Sequence, residues 1–281
     1  VFYRLRALSE QNVRIHLHCF RYRGKAPAPA LEKFCEAVHY YPRPLGLRHQ
    51  RSPLPFIVAT RRPPELLERL VRLPYPILLE GLHTCGFIDH QALQGRRQGV
   101  RMHNIEWRYY QNLARLEPRW TKRLYLHLES RKLKRFEARV LARADLILPI
   151  SDREARYFRT HNAAAQLLPA FHGNLEVCSL PGRGSYALFH GNLSVRDNEW
   201  AARFFIEEVF AGLSLPLVIA GLAPSDRLKK YCRRHPNVRL VDSPSGAAMQ
   251  QLMRDAHLHL LYSHQADGIK IKLLNALHQG R

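Results

Sequence analysis

Acid is what this chain lacks most. Its 281 residues hold 23 Asp and Glu against 44 Lys and Arg, a formal net charge of +21 with histidine neutral. So positive a field attracts polyanions: a nucleic acid, an anionic membrane face or a phosphate-rich substrate all fit, and charge alone does not choose among them. Cysteine is scarce and scattered. Cys19, Cys35, Cys85, Cys178 and Cys232 include no C-x-x-C pair, which argues against a disulfide framework or a structural zinc site and makes a reducing cytosol the simpler setting. No apolar run is long enough to span a membrane, no signal peptide is visible, and neither repeats nor low-complexity tracts interrupt the chain.

Hydrophobic residues make up 46% of the sequence, enough for sizeable cores, and the length predicts two domains. The chain starts at Val1 without methionine, already in a helical pattern, and stops at Gly280-Arg281, where a doubly wound domain would continue. These ends predict a fragment of a longer protein, lacking its first strand and about the last third of its second domain.

Short apolar runs alternate with helical patterns, which predicts an α/β fold with parallel sheets. Strands are expected over Val13–Phe20, Glu36–Tyr41, Phe56–Thr60, Pro76–Gly81, the GVRM run ending at Met102, Asp145–Ser151 and Gln166–Ala170. Pro63 and Pro64 open a helix running through Leu73. The longest helical pattern is Arg119–Arg143, with Trp120, Leu124, Leu128, Leu133, Phe136 and Val140 expected on one apolar face. Its other positions are strongly basic, which fits either an anionic bilayer or a solvated face on a core helix. The glycine-rich stretch Phe171–Gly184 has no periodicity and is read as the linker. The strand–helix rhythm then restarts with Tyr186–Leu193, a helix over Val195–Leu213, a strand at Leu217–Gly221 and further units up to His257–Ser263.

Candidate chemistry lies where strands end. PILLEGLH ends in Glu80, Gly81 and His83, and GVRMHNIEW ends in Arg101, His103, Asn104 and Glu106, with a helix following at once; His103 is a candidate cleft residue, or a boundary residue beside a capping asparagine. YALFHGNL ends in a Gly191-Asn192 turn, and Arg196 stands at the start of the next domain's first helix, where backbone N–H groups and a guanidinium make an anion site, or where Arg196 is a surface residue of the helix. In YSHQADGIKIKLLNALHQGR, Asp267 and Asn275 stand eight residues apart around the Gly268 loop, and Lys270 and Lys272 flank a helix start that favours a phosphorylated ligand. His16 with His18, and His257 with His259, share strand faces without further ligands at metal-site spacing.

This tail resembles the signature of the retaining glycosyltransferases of family 4, which have the two-Rossmann GT-B fold. The family pairs two acidic residues eight positions apart around a glycine loop, followed by an alanine and a glycine, here Ala276 and Gly280. The chain departs from it at Asp267, which replaces the first glutamate, and at Asn275, which replaces the second; an amide still hydrogen-bonds a ribose hydroxyl. RMHNIEWRYYQNLAR resembles a bacterial subgroup of the same transferases.

The resemblance implies two Rossmann-like domains, the second incomplete: residues 1–172 as the acceptor-side domain without its first strand, 173–184 as linker, and 185–281 as the nucleotide-sugar-binding domain. It also implies a glycosyltransferase of cell-envelope polysaccharide or glycoconjugate synthesis, taking a sugar from a nucleotide-diphosphate sugar to a glycan or lipid-linked acceptor with retention. His103, Asp267 and Lys272 would be catalytic, and Gly191, Asn192, Arg196, Gly268, Lys270 and Asn275 would bind the donor. No metal or other cofactor is expected, in keeping with the lack of an aspartate-x-aspartate pair. Such an enzyme would be cytoplasmic, with the basic helix a candidate for the inner face of the membrane. Two other readings stay open: a basic nucleic-acid-binding protein, against which the dispersed arginines speak, and a GT-B scaffold that binds sugar nucleotides without transferring, for which Asn275 speaks.

Overall fold

The computed structural model describes residues 2–21, 26–174, 176–262 and 271–280. Among these, residues 2–171 form one compact unit and residues from 172 onward a second.

In the first unit, α1 (Phe2–Glu10) leads into β1 (His16–Phe20), which pairs in parallel with β2 (Ala37–Tyr41). Two short helices, α2 (Leu47–Gln50) and α3 (Phe56–Ala59), precede α4 (Pro64–Arg72), whose first turn opens on proline. Then come β3 (Ile77–Glu80), β4 (Gln98–Met102), α5 (Glu106–Leu116), α6 (Trp120–Arg143), β5 (Leu146–Pro149) and α7 (Asp152–Arg159). Strands β3, β4 and β5 make a three-stranded parallel sheet. Val100 and Met102 of β4 and Ile147 of β5 are sealed against Leu133, Phe136 and Val140 of α6. Each such side chain contributes roughly 1.5–3 kcal/mol by leaving water.

Four sequence expectations are corrected in the structure. FIVAT is the helix α3 followed by Thr60, not a strand. A short apolar run does not distinguish the two; here the buried Glu129 carboxylate decides, accepting the Phe56 N–H at 2.6 Å where a helix N-terminus needs an acceptor. The strand expected at Gln166–Ala170 reduces to one bridge between Ile147 and Ala165, although Gln166 and Leu168 still donate to carbonyls of β5. The helix expected over Val195–Leu213 is α-helical only from Arg196 to Phe204 and then widens into a π-turn, Phe205–Val209. Finally, the apolar face of α6 divides. Leu133, Phe136 and Val140 are core, but Trp120, Leu124 and Leu128 are exposed, and Leu126, Glu129 and Ser130 are buried in the first half of the helix instead.

The second unit contains β6 (Ala187–Asn192), α8 (Arg196–Phe204), β7 (Leu217–Leu222), α9 (Asp226–Cys232), β8 (Val238–Asp242), α10 (Gly246–Asp255), β9 (Leu258–Leu260) and α11 (Ile271–Gln279). All four strands are parallel in the order β8-β7-β6-β9. Ser225 and Ser245 cap α9 and α10 through their hydroxyl oxygens. The strand order reverses at β6: the chain moves outward through β7 and β8, then returns to place β9 on the other side of β6. In open parallel sheets the carboxyl ends at such a reversal form the ligand crevice.

Candidate functional site

The carboxyl ends of β3 and β4 in the first unit gather charge. Parallel register sets Glu80 beside Arg101, and the two-residue period of a strand carries the same face on to His103. The Glu80 carboxylate pairs with Arg4 from α1, lies 3.6 Å from Nε of Arg101, and is 2.9 Å from Nε2 of His103. Arg4 and Arg101 are both buried. Arg101 is held further by the Pro169 carbonyl at 2.9 Å and by the Phe171 ring. Burial, with the charge of Arg101, pulls the Arg4 guanidinium down to about 10.

Two imidazoles meet at this edge. Gly81 follows β3 with φ 91°, and a Cβ there would lie 2.7 Å from Cε1 of His83 and 3.3 Å from Cδ2 of His103. Burial, followed by the charges of Arg61, His103 and Arg43, holds His83 down to about 3. His103 is also lowered, by burial first and then by Arg101, with Glu106 opposing; burial raises the Glu106 carboxyl. The site is therefore a cationic rim carrying two neutral imidazoles at neutral pH.

In the second unit, the turn from β6 to α8 is compact. Asn192 Oδ1 accepts from the Ser194 N–H at 3.1 Å and from its hydroxyl at 2.7 Å, while Asn198 Nδ2 donates to the Asn192 carbonyl at 2.9 Å. Gly191 and Gly221 face each other across β6 and β7, and a Cβ on Gly221 would overlap the Gly191 carbonyl oxygen. Arg196 is exposed in the first turn of α8. Of the donor-site candidates here, the Asn192 amide oxygen is engaged in its own turn, whereas the Arg196 guanidinium stands at the helix start.

On the β9 side of β6, Lys272 of α11 places Nζ 5.2 Å from the centre of the Phe189 ring. Burial, followed by the charges of Lys272 and His259, holds His190 down to about 4. Asn275 lies on the same helix. Its Oδ1 accepts from Nδ2 of Asn174 at 2.8 Å, and Oδ1 of Asn174 accepts from Nε2 of Gln279 at 2.6 Å. The His172 and His278 rings meet at 4.8 Å, and the Cys178 N–H donates to the His278 carbonyl at 2.6 Å. Residues 172–174 and 176–178 thus strap across α11. Asp267, Gly268 and Lys270 lie outside the described residues.

Sequence reading missed several members of these clusters, His190 and Arg4 among them. His190 stands one residue before a glycine turn at a strand end, a position that could have flagged it. Arg4, on a helix far away in sequence, gave no local signal. Of the paired strand histidines, His16 and His18 resolve as aromatic packing: the His16 ring stacks on Tyr75, Nδ1 of His18 hydrogen-bonds the Tyr41 hydroxyl at 2.8 Å, and the His18 ring lies 5.1 Å from that of His39; Nδ1 of His257 instead accepts the Gly184 N–H at 3.4 Å.

No family profile matches the sequence, and no curated protein does. Solved structures do match in fold. Anabaena HepE in complex with UDP aligns over 93% of this chain and 78% of its own, at 12% identity and a TM-score of 0.55. TarM aligns over 79% of this chain at 10% identity and a TM-score of 0.54. Phytolacca americana UGT2, complexed with UDP-2fluoro-glucose and pterostilbene, aligns over 98% of this chain and 78% of its own, at 10% identity and a TM-score of 0.51. The chain spans 42% of the length of TarM. At these identities the likeness is one of fold: α/β, with parallel Rossmann-like sheets of the GT-B class.

Proposed function

We propose that this chain takes part in glycosyl transfer, binding a nucleotide-diphosphate sugar and passing its sugar to a glycan or lipid-linked acceptor with retention, in cell-envelope polysaccharide or glycoconjugate synthesis. The observation that carries the reading is the reversal of strand order at β6, with a glycine turn into α8 on one side and Lys272 on the other. The likeness in fold to structures complexed with UDP and UDP-2fluoro-glucose supports it.

Breaking the bond between sugar and diphosphate builds positive charge on the sugar and negative charge on the leaving group. Lys272, Arg196 and the α8 N-terminus supply the fixed positive potential that would stabilise the departing diphosphate, and the resemblance adds Lys270. His103 would hold the sugar and Asp267 would orient its hydroxyls. No resident metal is invoked.

The acceptor side of the reading adds a bilayer. Trp120 (73% exposed), Leu124 (52%) and Leu128 (46%) line one face of α6, and Leu116 (63%) at the end of α5 is exposed beside them. Arg115, Arg119, Lys122, Arg123 and Arg131 are exposed around this stripe. No helix among the described residues is long and apolar enough to cross a membrane. An apolar stripe ringed by cations suits the headgroup boundary of an anionic leaflet, which would place the protein in the cytoplasm, peripheral on the inner membrane face.

The test is calorimetric titration with nucleoside diphosphates and their sugars, repeated with Lys272→Ala. One nucleotide is expected to bind and to weaken about tenfold or more in the variant, the loss of one charge-assisted phosphate contact. Failure of every nucleotide to bind, alongside tight, salt-sensitive binding to DNA or RNA, would replace this reading with the nucleic-acid one. Binding without transfer to any glycan or lipid-linked acceptor would leave the non-catalytic scaffold.

A further inference from the structure

The imidazole of His103 is not free to choose its tautomer. In a neutral ring one nitrogen carries the proton and the other a lone pair, and the partner of either nitrogen sets which. Here Nε2 lies 2.9 Å from Oε1 of Glu80. A carboxylate only accepts, so Nε2 must be the donor. Glu80 cannot turn away, because its other oxygen pairs with Arg4 and the Arg101 guanidinium flanks the first. Arg4 and Arg101 are themselves buried, and the Pro169 carbonyl fixes Arg101.

We infer that Glu80 is a positioning residue: it holds His103 as the Nε2–H tautomer and so presents Nδ1 as a hydrogen-bond acceptor at the carboxyl end of β4. The side chain is 39% exposed, within reach of a ligand. An acceptor there selects for a donor, and a sugar hydroxyl is the donor class that suits it. The ionised oxygens of a diphosphate diester, which only accept, are turned away from that nitrogen. The inference rests on the reading of His103 as a sugar-facing residue for its meaning in catalysis, but not for its geometry.

Substitution of Glu80 by glutamine reverses the polarity. The Arg4 guanidinium, which only donates and makes the closer of the two Arg pairs, would hold the amide oxygen on its own side and turn the NH₂ toward His103. Nε2 must then accept, and the proton moves to Nδ1. A merely structural role for Glu80 would not produce this exchange.

The experiment is nitrogen NMR of the imidazoles in the ligand-free full chain, labelled at histidine, above pH 7.5, with His103→Gln assigning the resonances. The expected result is a protonated Nε2 and an unprotonated Nδ1 in the wild type, exchanged in Glu80→Gln. An Nδ1–H tautomer in the wild type, or an unchanged tautomer in a folded Glu80→Gln, would overturn the inference. The wild-type measurement stands even where the variant fails to fold. Glu80→Asp, which keeps the charge but draws it back by one methylene, is expected to give a mixture of tautomers; a pure Nε2–H signal there would also count against it. If the tautomer is as stated and no nucleotide sugar binds, the positioning stands and the glycosyl-transfer reading falls.

Discussion

Replacing Gly81 with alanine tests the β3–β4 edge most directly. At φ 91° and ψ 155° the backbone occupies a region that is essentially glycine's own, and a side chain there costs about 1–3 kcal/mol. The new Cβ would also lie 2.7 Å from Cε1 of His83, where ordinary contact begins at 3.4 Å, so the ring must retreat by 0.7 Å (3.4 − 2.7). Displacing a half-buried imidazole that distance adds about 1–3 kcal/mol. The sum is about 2–6 kcal/mol, or a fall in urea midpoint of about 1–3 M at a slope of about 2 kcal/mol/M. Gly95→Ala is the control, since Gly95 has φ 77° and nothing within 4 Å of its added Cβ. The difference between the two variants reads what the crowding by the imidazoles of His83 and His103, together with the ψ of 155° at Gly81, adds over an open position at positive φ. Unfolding is best followed by tryptophan fluorescence in a Trp200→Phe background, so that the signal comes from the first unit. An unchanged or raised midpoint in Gly81→Ala, as replacing glycine with alanine gives at unstrained positions, would refute the account of this edge.

Two further outcomes are expected. His18 is held down to about 4 by burial first, with His39, Arg69 and His16 adding to it, and Tyr41 and Glu65 completing the charged surroundings. The unfolded chain takes up this proton near 6.5 and the folded one near 4, so stability is complete above pH 6.5 and falls as pH drops toward 4. His18→Phe should flatten that slope in urea titrations across the window, and an unchanged slope would count against it. Glu129→Gln should lower stability by about 1–3 kcal/mol, because the amide replaces a charged acceptor on the Phe56 N–H and removes the partner of Lys132 at 2.9 Å. Hydrogen exchange at residues 56–60 should quicken in step; protection equal to wild type would show that α3 does not depend on this carboxylate.

The parallel α/β architecture was legible because its signals are local and repeated: Ala187–Asn192 and Leu217–Leu222 are short apolar runs ending in turns, and α4 opens on proline. Where tertiary contacts decide, the reading failed. FIVAT becomes a helix because a carboxylate 73 residues away satisfies its first N–H. Periodicity along α6 identified an apolar stripe but not which of its two ends would be covered, since that depends on where α5 and the sheet lie. In the candidate site, His103 and Lys272 could be named from strand and helix ends. Glu80, the partner of His103, stands out at a strand end in the same way, but the long-range contacts could not be named: Arg4 reaches Glu80 across 76 positions of sequence (80 − 4), and Asn275 meets Asn174 across 101.

That last pairing has a consequence for how the second unit comes into being. Its opening residues are tied to α11, and β9 must slot in beside β6, the first of its described strands to be made. A ribosome adding about 5–20 residues per second needs about 5–20 s to pass from residue 172 to residue 279. During that interval one flank of β6 has no neighbour and the strap has nothing to cross. The β9 edge of this sheet and the strap over α11 are therefore completed late in synthesis, and until then the open flank of β6 is in the keeping of whatever shields apolar edges at the tunnel exit.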